Sequence, residues 1–357
     1  MYLKNLYLEN FRNYTNCEFK FSKGTNILYG LNGQGKTNII ESLYFFFNGK
    51  SYRTSKDNEV INFEKDFARI KIDFFDGVRD NTSEIFINEK KSVKINDIPI
   101  SKLSEIIGML NMVIFTPDML NIIKDGPGVR RQFMDMLISQ LKPVYFKTLI
   151  NYYKVLMQRN NILKSRNNKL FDTIDVWNDK LAEYGIVINK YRNNIIKELD
   201  KYISMIDYNG ESENTTLKYS PSIKEDFEDK ENFVKQLEKC FEREKEKGIT
   251  LLGPHRDDFD IFLNERSIRK FGSQGQMRTC VLKLKLAECG IIRDTAGHEP
   301  ILLLDDILSE LDEKRKEFFL NNIKDRQIFI TCTERENIKH NESRYFNIEN
   351  GNIKRID

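Results

Sequence analysis

The sequence predicts an α/β fold assembled from both ends of the chain, with a lobe of helices inserted between them. Three observations carry this. A glycine-rich G-x-x-x-x-G-K-T pattern, Gly30 to Thr37, stands between a short apolar run and a helical pattern. Far along the chain, Ile301-Leu302-Leu303-Leu304-Asp305-Asp306 is an apolar run ending in two acids. Between them lies a long stretch whose apolar residues recur at helical spacing. The boundaries read from these patterns are 1–115 and 207–357 for the two parts of the α/β head and 116–206 for the helical lobe.

Taken in order, 3–8 and 27–29 read as short strands, and 69–74 alternates with period two. Segments 84–88 and 93–95 read as a hairpin around Glu89-Lys90-Lys91, and a helix begins just after Lys36. Pro127 and Pro143 punctuate the start of the lobe. Its longest stripe is Trp177, Leu181, Tyr184, Ile188, Tyr191, Ile195, Leu199 and Tyr202. A shorter one, Leu149, Tyr152, Leu156 and Leu163, is suited to pack against it as an antiparallel partner. Both stripes read as core, not as a cofactor site. After a polar stretch at 209–214, residues 215–219 read as a strand, 230–247 as a charged helix and 281–288 as helical. Segments 301–304 and 327–331 read as hydrophobic strands.

Composition sets outer limits. With 357 residues, 40% hydrophobic and 31% charged, the chain has the apolar material for a core, which excludes wholesale disorder. The balance of 57 Lys+Arg against 54 Asp+Glu leaves +3, so any basic surface comes from local clustering. The cysteines, Cys17, Cys240, Cys280, Cys289 and Cys332, are odd in number and lack C-x-x-C spacing. That argues against a disulfide scaffold or zinc ribbon and for a reducing compartment. The apolar runs at 43–47 and 301–304 are too short to cross a bilayer, and the first residues lack a signal peptide's apolar core. The expectation is a cytoplasmic protein with no membrane partner.

The glycine pattern has a chemistry. Gly30, Gly33 and Gly35 let backbone N–H groups curl around a β-phosphate, and the helix that follows adds its dipole. Lys36 supplies a cation for the β- and γ-phosphates, and Thr37 offers a hydroxyl to Mg²⁺. The expected ligands are therefore ATP and Mg²⁺. A phosphate loop needs a carboxylate at the end of a buried strand, which assigns Asp305 to the metal, directly or through water. Asp306 would orient or deprotonate the attacking water. Ser273, Gly275 and Gln276 precede a helical pattern, which reads equally as an anion site or as a plain N-terminal cap. Their order settles the weighting. Ser-x-Gly-Gln before a helix, a strand ending in Asp-Asp, then Ser309-Glu310-Leu311-Asp312 is the arrangement of an ABC-type ATPase head.

Weaker candidates remain. His255 and Asp258 read as a structural hydrogen-bond cluster before they read as metal ligands, since no third ligand is near in sequence. His298 and His340 look like surface residues. Lys154, Arg159, Lys164, Arg166 and Lys169 read as a solvated helix face; DNA contact is the alternative for them and for Arg130 and Arg131.

The chain resembles the RecF family of bacterial recombination mediators, relatives of the SMC heads. The likeness runs nearly end to end. It includes Glu9-Asn10-Phe11-Arg12-Asn13-Tyr14, the phosphate loop, Gly49-Lys50-Ser51-Tyr52-Arg53-Thr54 and Phe115-Thr116-Pro117-Asp118. It continues through Lys124 to Phe133, Gln158-Arg159-Asn160, Gly253-Pro254-His255-Arg256-Asp257-Asp258, Gly272 to Gln276 and Leu303 to Asp312. The resemblance implies nucleotide contacts from Arg12, Gly30, Asn32, Gly33, Gly35, Lys36, Thr37 and Asn38. It implies that Ser273, Gly275 and Gln276 meet the γ-phosphate held by a second copy, in an ATP-dependent homodimer. It also implies binding to duplex and gapped DNA, partnership with RecR and RecO in loading RecA, and roles in replication restart and the SOS response. Two departures from the wider ABC pattern imply slow hydrolysis. Asp306 stands where most have Glu, and Thr331-Cys332-Thr333 stands where a switch His is usual.

Three rival readings are weaker. A transporter ATPase subunit lacks support from the long span between Lys36 and Asp305 and from the missing His. An SMC-like chromosome protein would need far longer coiled-coil arms than 116–206 allows. A DNA scaffold without catalysis requires that the Asp306 chemistry be dead.

Overall fold

A buried five-residue strand, β3 (Thr25–Tyr29), organises the first of two compact units, Met1–Met119 with Glu288–Asp357. The structure is a computed structural model that describes residues 1–100, 105–165, 171–208, 214–335 and 342–356. Arg166, Lys169, His340 and nearly all of the polar stretch at 209–214 therefore lie outside the described residues.

In the first unit β3 belongs to a six-stranded sheet. Across it run β15 (Asn352–Ile356), β14 (Arg344–Glu349), β3, β13 (Ile328–Cys332), β12 (Ile301–Leu304) and β8 (Met112–Phe115). Five are parallel and β15 returns antiparallel along the edge. Every residue of β12 and β13 is buried, as expected of parallel strands covered on both faces, which read as unbroken apolar runs. Helix α1 (Lys36–Asn48) follows β3, packs on β12 and β13, and buries Ile39, Ile40, Leu43, Phe45, Phe46 and Phe47. It ends at Gly49, which turns left-handed (φ 66°).

A second sheet of this unit is wholly antiparallel, in the order β2 (Tyr14–Lys20), β1 (Tyr2–Phe11), β4 (Ala68–Phe75), β5 (Asp80–Ile87), β6 (Lys91–Ile95) and β7 (Ile98–Ile100). In β4 burial alternates residue by residue, the structural form of the period-two pattern. Buried Gln327 ties the sheets together. It accepts from the Leu3 N–H (2.7 Å) and donates to the carbonyls of Leu3 (2.8 Å) and Ser22 (2.7 Å).

The second unit, Leu120–Ala287, is built on helices α2 (Pro127–Leu141), α3 (Pro143–Lys164), α4 (Ile174–Ser204) and α5 (Lys230–Lys247). Proline opens α2 and α3, where its missing N–H would have no helical partner anyway. Helices α3 and α4 are antiparallel. Tyr145 at the start of α3 meets Arg192 far along α4 (3.2 Å), whereas Arg159 near the end of α3 donates to Asn178 near the start of α4 (2.8 Å). Of the two stripes, Tyr152, Leu156, Leu163, Leu181, Ile188, Ile195 and Leu199 are buried, with Trp177, Tyr184, Tyr191 and Tyr202 half-buried. The charged helix α5 is capped by Asp229, which accepts from the Asn232 N–H (2.7 Å), and ends at left-handed Gly248.

The same unit holds a three-stranded antiparallel sheet of β9 (Thr215–Ser220), β10 (Asp258–Leu263) and β11 (Arg266–Ser267). Ion pairs at the head of β10 anchor it to the helices. Arg130 of α2 donates two N–H groups to Asp258 (2.6 and 2.8 Å), and Arg192 of α4 reaches Asp257 (3.4 Å) and the Pro254 carbonyl (2.6 Å). Arg192 also grips Asp135 of α2 (2.8 and 3.0 Å). Arg159 is fully buried, paired with Glu244 (2.6 Å) and bonded to Thr250 (2.8 Å). This corrects the reading of Arg159 as part of a solvated or DNA-facing stripe. Arg159 is internal, as is Arg130, and only Lys154 and Lys164 of the described members are exposed. Outside this unit, His298 is half-buried, its Nδ1 3.2 Å from the Glu299 carbonyl.

His255 is half-buried and held between the Tyr152 hydroxyl, 2.7 Å from Nδ1, and the Thr250 carbonyl, 3.1 Å from Nε2. Burial pushes its pKa down to about 4 from 6.5. Between those values the unfolded chain takes up a proton that the folded chain refuses. The stability of the neutral ring is therefore complete above about pH 6.5 and lost as pH falls to 4, by about 3 kcal/mol. Urea unfolding from pH 7.5 to 4 should show this loss in the native protein and a flatter profile in His255→Gln. Parallel profiles would show that the ring is not proton-linked to folding.

Candidate functional site

The register of the parallel sheet brings three strand ends together. Tyr29 lies opposite Cys332, and Leu304 opposite Ile330, so β3, β13 and β12 finish side by side. That carboxyl edge is where open α/β sheets hold ligands. The loop of Gly30 to Gly35 leaves from β3, Asp305 and Asp306 from β12, and Thr331 lies near the end of β13 between them.

Lys36 folds back over its own loop, with Nζ donating to the carbonyls of Gly30 (2.7 Å) and Leu31 (2.8 Å). Burial lowers its pKa, opposed by the carboxylates of Asp306 and Asp305. Asn32 and Gly33 are exposed at the loop's tip. Gly35 has φ +112°, and a Cβ there would lie 2.6 Å from the Asn13 amide nitrogen, so only glycine fits. The loop is braced from outside. The Gln34 carbonyl accepts from the Asn13 side chain (3.1 Å) and the Gly351 N–H (3.0 Å), and its Oε1 from the Asn350 N–H (2.6 Å). The Tyr14 hydroxyl donates to the Gly35 carbonyl (3.1 Å).

The two acids are held differently. Asp305 is buried, its Oδ1 accepting from the hydroxyls of Thr37 (3.0 Å) and Thr331 (2.9 Å) and its Oδ2 from Tyr52 (2.8 Å). Burial and the Asp305 charge raise the Tyr52 pKa, so its proton stays in place. Asp306 is exposed, in the left-handed region at φ +52°. Its N–H donates to Thr331 Oγ1 (2.8 Å) and its Oδ1 accepts from Ser309 (3.2 Å). Thr331 thus bridges both acids where a switch His was missing, and Thr333 is exposed. A hydroxyl beside a carboxylate is a hard-oxygen donor set suited to Mg²⁺, so Thr37 and Asp305 fit that ion.

Arg12 sits at the rim with φ +53°. Its Nε and Nη2 donate to fully buried Glu41 (3.0 and 2.6 Å) and its Nη1 to the Glu59 carbonyl (2.6 Å). Glu41 also accepts from Arg53 (3.0 Å) and Ser51 (2.5 Å). Asn38 is held between Asn13 (2.8 Å) and Arg53 (2.8 Å). Arg12 further lines a cleft of about 540 Å³ beside Asn58, Glu59, Ile61 and the fully exposed Phe63.

In the second unit, Ser273 caps helix α6 (Gln274–Ala296). Its Oγ accepts from the Gln276 N–H (3.2 Å) while Gln276 Oε1 accepts from the Ser273 N–H (3.0 Å), a capping box with Gly275 in the first turn. Ser273 is exposed, and Gly275 and Gln276 are half-buried. Sequence reasoning gave no role to Tyr52, Asn13, Gln34 or Glu41. Tyr52 meets Asp305 across 253 positions, which no spacing rule reaches.

A glycine loop leaving a parallel strand, a lysine folded over it and a Thr–Asp pair at the sheet's carboxyl edge define a P-loop nucleotide-binding head. The family model for the RecF/RecN/SMC N-terminal domain matches residues 2–354. The DNA replication and repair protein RecF of Acetivibrio thermocellus is 44% identical, covering 98% of this chain and 99% of its own. That of Clostridium kluyveri is also 44% identical, over the whole of both. Among solved structures, the recombination mediator protein RecF-ATP in the RecFOR pathway aligns with a TM-score of 0.90 at 33% identity, covering 100% of this chain and 97% of that one. An Smc head domain derived from Pyrococcus furiosus aligns at 0.57 and 17% identity, over 100% of this chain and 96% of that one, a likeness of fold alone. The chain belongs to the RecF family.

The brace on the loop can be tested through Gly351, at φ +69°, where a Cβ would lie 2.3 Å from the Asn13 carbonyl oxygen. Gly351→Ala should lower stability by about 3 kcal/mol, strain and clash together. Gly77→Ala, at φ +100° but facing open space, should cost about 1 kcal/mol. Urea midpoints of the two variants compare them directly, and equal losses would mean that the Asn13 contact adds nothing.

Proposed function

We propose that this chain is an ATP-dependent DNA-binding protein of recombinational repair. ATP joins two copies into a clamp over duplex DNA near single-strand gaps, and slow hydrolysis releases it. In this reading the protein acts in the cytoplasm with RecR and RecO to load recombinase, supporting replication restart and SOS induction. The observation that carries the nucleotide part is the Lys36 cradle facing the Thr37–Asp305 pair. The relatives named DNA replication and repair protein RecF and the ATP-bound RecF structure support the repair assignment.

The chain's own groups have distinct tasks. The loop N–H groups and Lys36 hold the β- and γ-phosphates, exchanging the loop carbonyls for phosphate oxygens on the ammonium. Thr37 and Asp305 would hold Mg²⁺, which when bound would neutralise charge on those phosphates. Asp306, exposed and lightly bonded, orients the attacking water and takes its proton. It is one methylene shorter than Glu, which makes the step slow. Ser273 Oγ accepts a hydrogen bond in its capping box, which leaves its O–H free to donate to a γ-phosphate on the other copy.

Lys36→Ala should lower ATP affinity at least tenfold, and Asp306→Asn should bind ATP normally while hydrolysing it about a hundredfold more slowly. Asparagine tolerates the left-handed backbone, so the exchange isolates the carboxylate. Wild-type turnover by Asp306→Asn would overturn its role.

Ser273→Arg should bind ATP as a monomer and fail both to dimerise with ATP and to hold DNA. Sizing with ATP and with ADP, with and without gapped duplex, reads this out. Native binding to DNA should weaken with salt on a log–log line and depend little on sequence. ATP-dependent dimers of Ser273→Arg, or salt-independent binding, would contradict the clamp.

A further inference from the structure

The Asp305 carboxylate has two oxygens, and its neighbours treat them unequally. Oδ1 carries the hydroxyls of Thr37 and Thr331, at 3.0 and 2.9 Å. Oδ2 carries the Tyr52 hydroxyl at 2.8 Å. A buried carboxylate is free to turn about its terminal torsion unless both oxygens are held. We propose that Tyr52 is a positioning residue for Asp305, fixing Oδ2 so that Oδ1, beside Thr37, is the oxygen offered to a divalent cation. The proposal rests on the nucleotide-binding reading given above and adds a residue to it.

Tyr52 is built to stand still. Its ring packs edge-on against Tyr44 of α1, with centroids 5.1 Å apart and planes at 76°. Its two chain neighbours are pinned to the same helix. Ser51 Oγ donates to buried Glu41 (2.5 Å) and Arg53 Nη1 to the other oxygen of that carboxylate (3.0 Å). Ser51 Oγ in turn accepts from the N–H groups of Arg53 (2.9 Å) and Thr54 (3.2 Å), which closes the segment into a tight turn. Helix α1 therefore carries Thr37 in its first turn and, through Glu41 and Tyr44, sets where the Tyr52 hydroxyl lies. One rigid element locates groups on both oxygens of Asp305. Partners that orient a metal-ligating carboxylate commonly change metal affinity by ~10–100-fold when lost.

Tyr52→Phe removes the hydroxyl and keeps the ring against Tyr44. The experiment titrates Mg²⁺, and Mn²⁺ read by its paramagnetic signal, into full-length protein with a non-hydrolysable ATP analogue. A parallel arm measures analogue affinity in EDTA, and urea midpoints report folding. The expected result is cation affinity about tenfold weaker, with cation-free nucleotide affinity and the urea midpoint close to native. Unchanged cation affinity would overturn the positioning role. So would an equal loss of nucleotide affinity in EDTA, which would place Tyr52 in the fold of the loop. If the native protein binds the analogue equally well with and without cation, the metal assignment of Thr37 and Asp305 falls, and Tyr52 with it.

Discussion

The hydrogen bond from Thr37 to Asp305 joins residues 268 positions apart, and most of the first unit is arranged so that it can form. Thr37 is placed by a helix that leaves β3, Asp305 by the end of β12, and β13 must lie between them in parallel for the two to meet. Thr331, the last residue but one of the wholly buried strand β13, fills the gap with a hydroxyl that serves both acids. A polar contact in so buried a place costs free energy unless its groups are paired, and here both carboxylate oxygens of Asp305 have donors. The result is a rigid, fully bonded acid beside a lightly bonded, solvent-facing one.

The second unit solves a different problem by similar means. Arg130, Arg159 and Arg192 are buried, and each is matched by a carboxylate and by further oxygen acceptors. Removing one member of such a pair strands the other charge, at a cost of roughly 3–5 kcal/mol, so these pairs act as all-or-none fasteners. They connect α2, α3 and α4 to the loop around His255 and to the head of β10. Segments that carry the family resemblance, Arg130-Arg131, Gln158-Arg159-Asn160 and Gly253 to Asp258, are thus the unit's internal frame.

Much of this was legible from the chain because the signals were local. The loop, the buried run of β12, the alternation in β4 and the heptad-like stripe of α4 each follow from residues within one element. The charged helix α5 was read at 230–247, the bounds that the structure gives it. Strands β2, β14 and β15 gave little signal, because they are largely polar and gain their place by pairing, β2 with β1, β14 with β3 and β15 with β14. Arg159 looked like part of a solvated face because its burial depends on Glu244, a partner 85 positions away. At the site, the identities of Lys36, Thr37, Asp305 and Asp306 came from motif chemistry. Tyr52, Asn13 and Gln34 did not, since what they touch is set by tertiary structure alone.

The turn at Asn350 and Gly351 holds Gln34, made 316 positions earlier. On a ribosome adding ~5–20 residues per second, the loop therefore emerges some tens of seconds before its brace exists. During that interval β3 also lacks β13 and β14, its partners on either side. The first-made part of the head is thus the last to take its working shape. A nucleotide could help chaperone this assembly only after nearly all of the described chain had appeared.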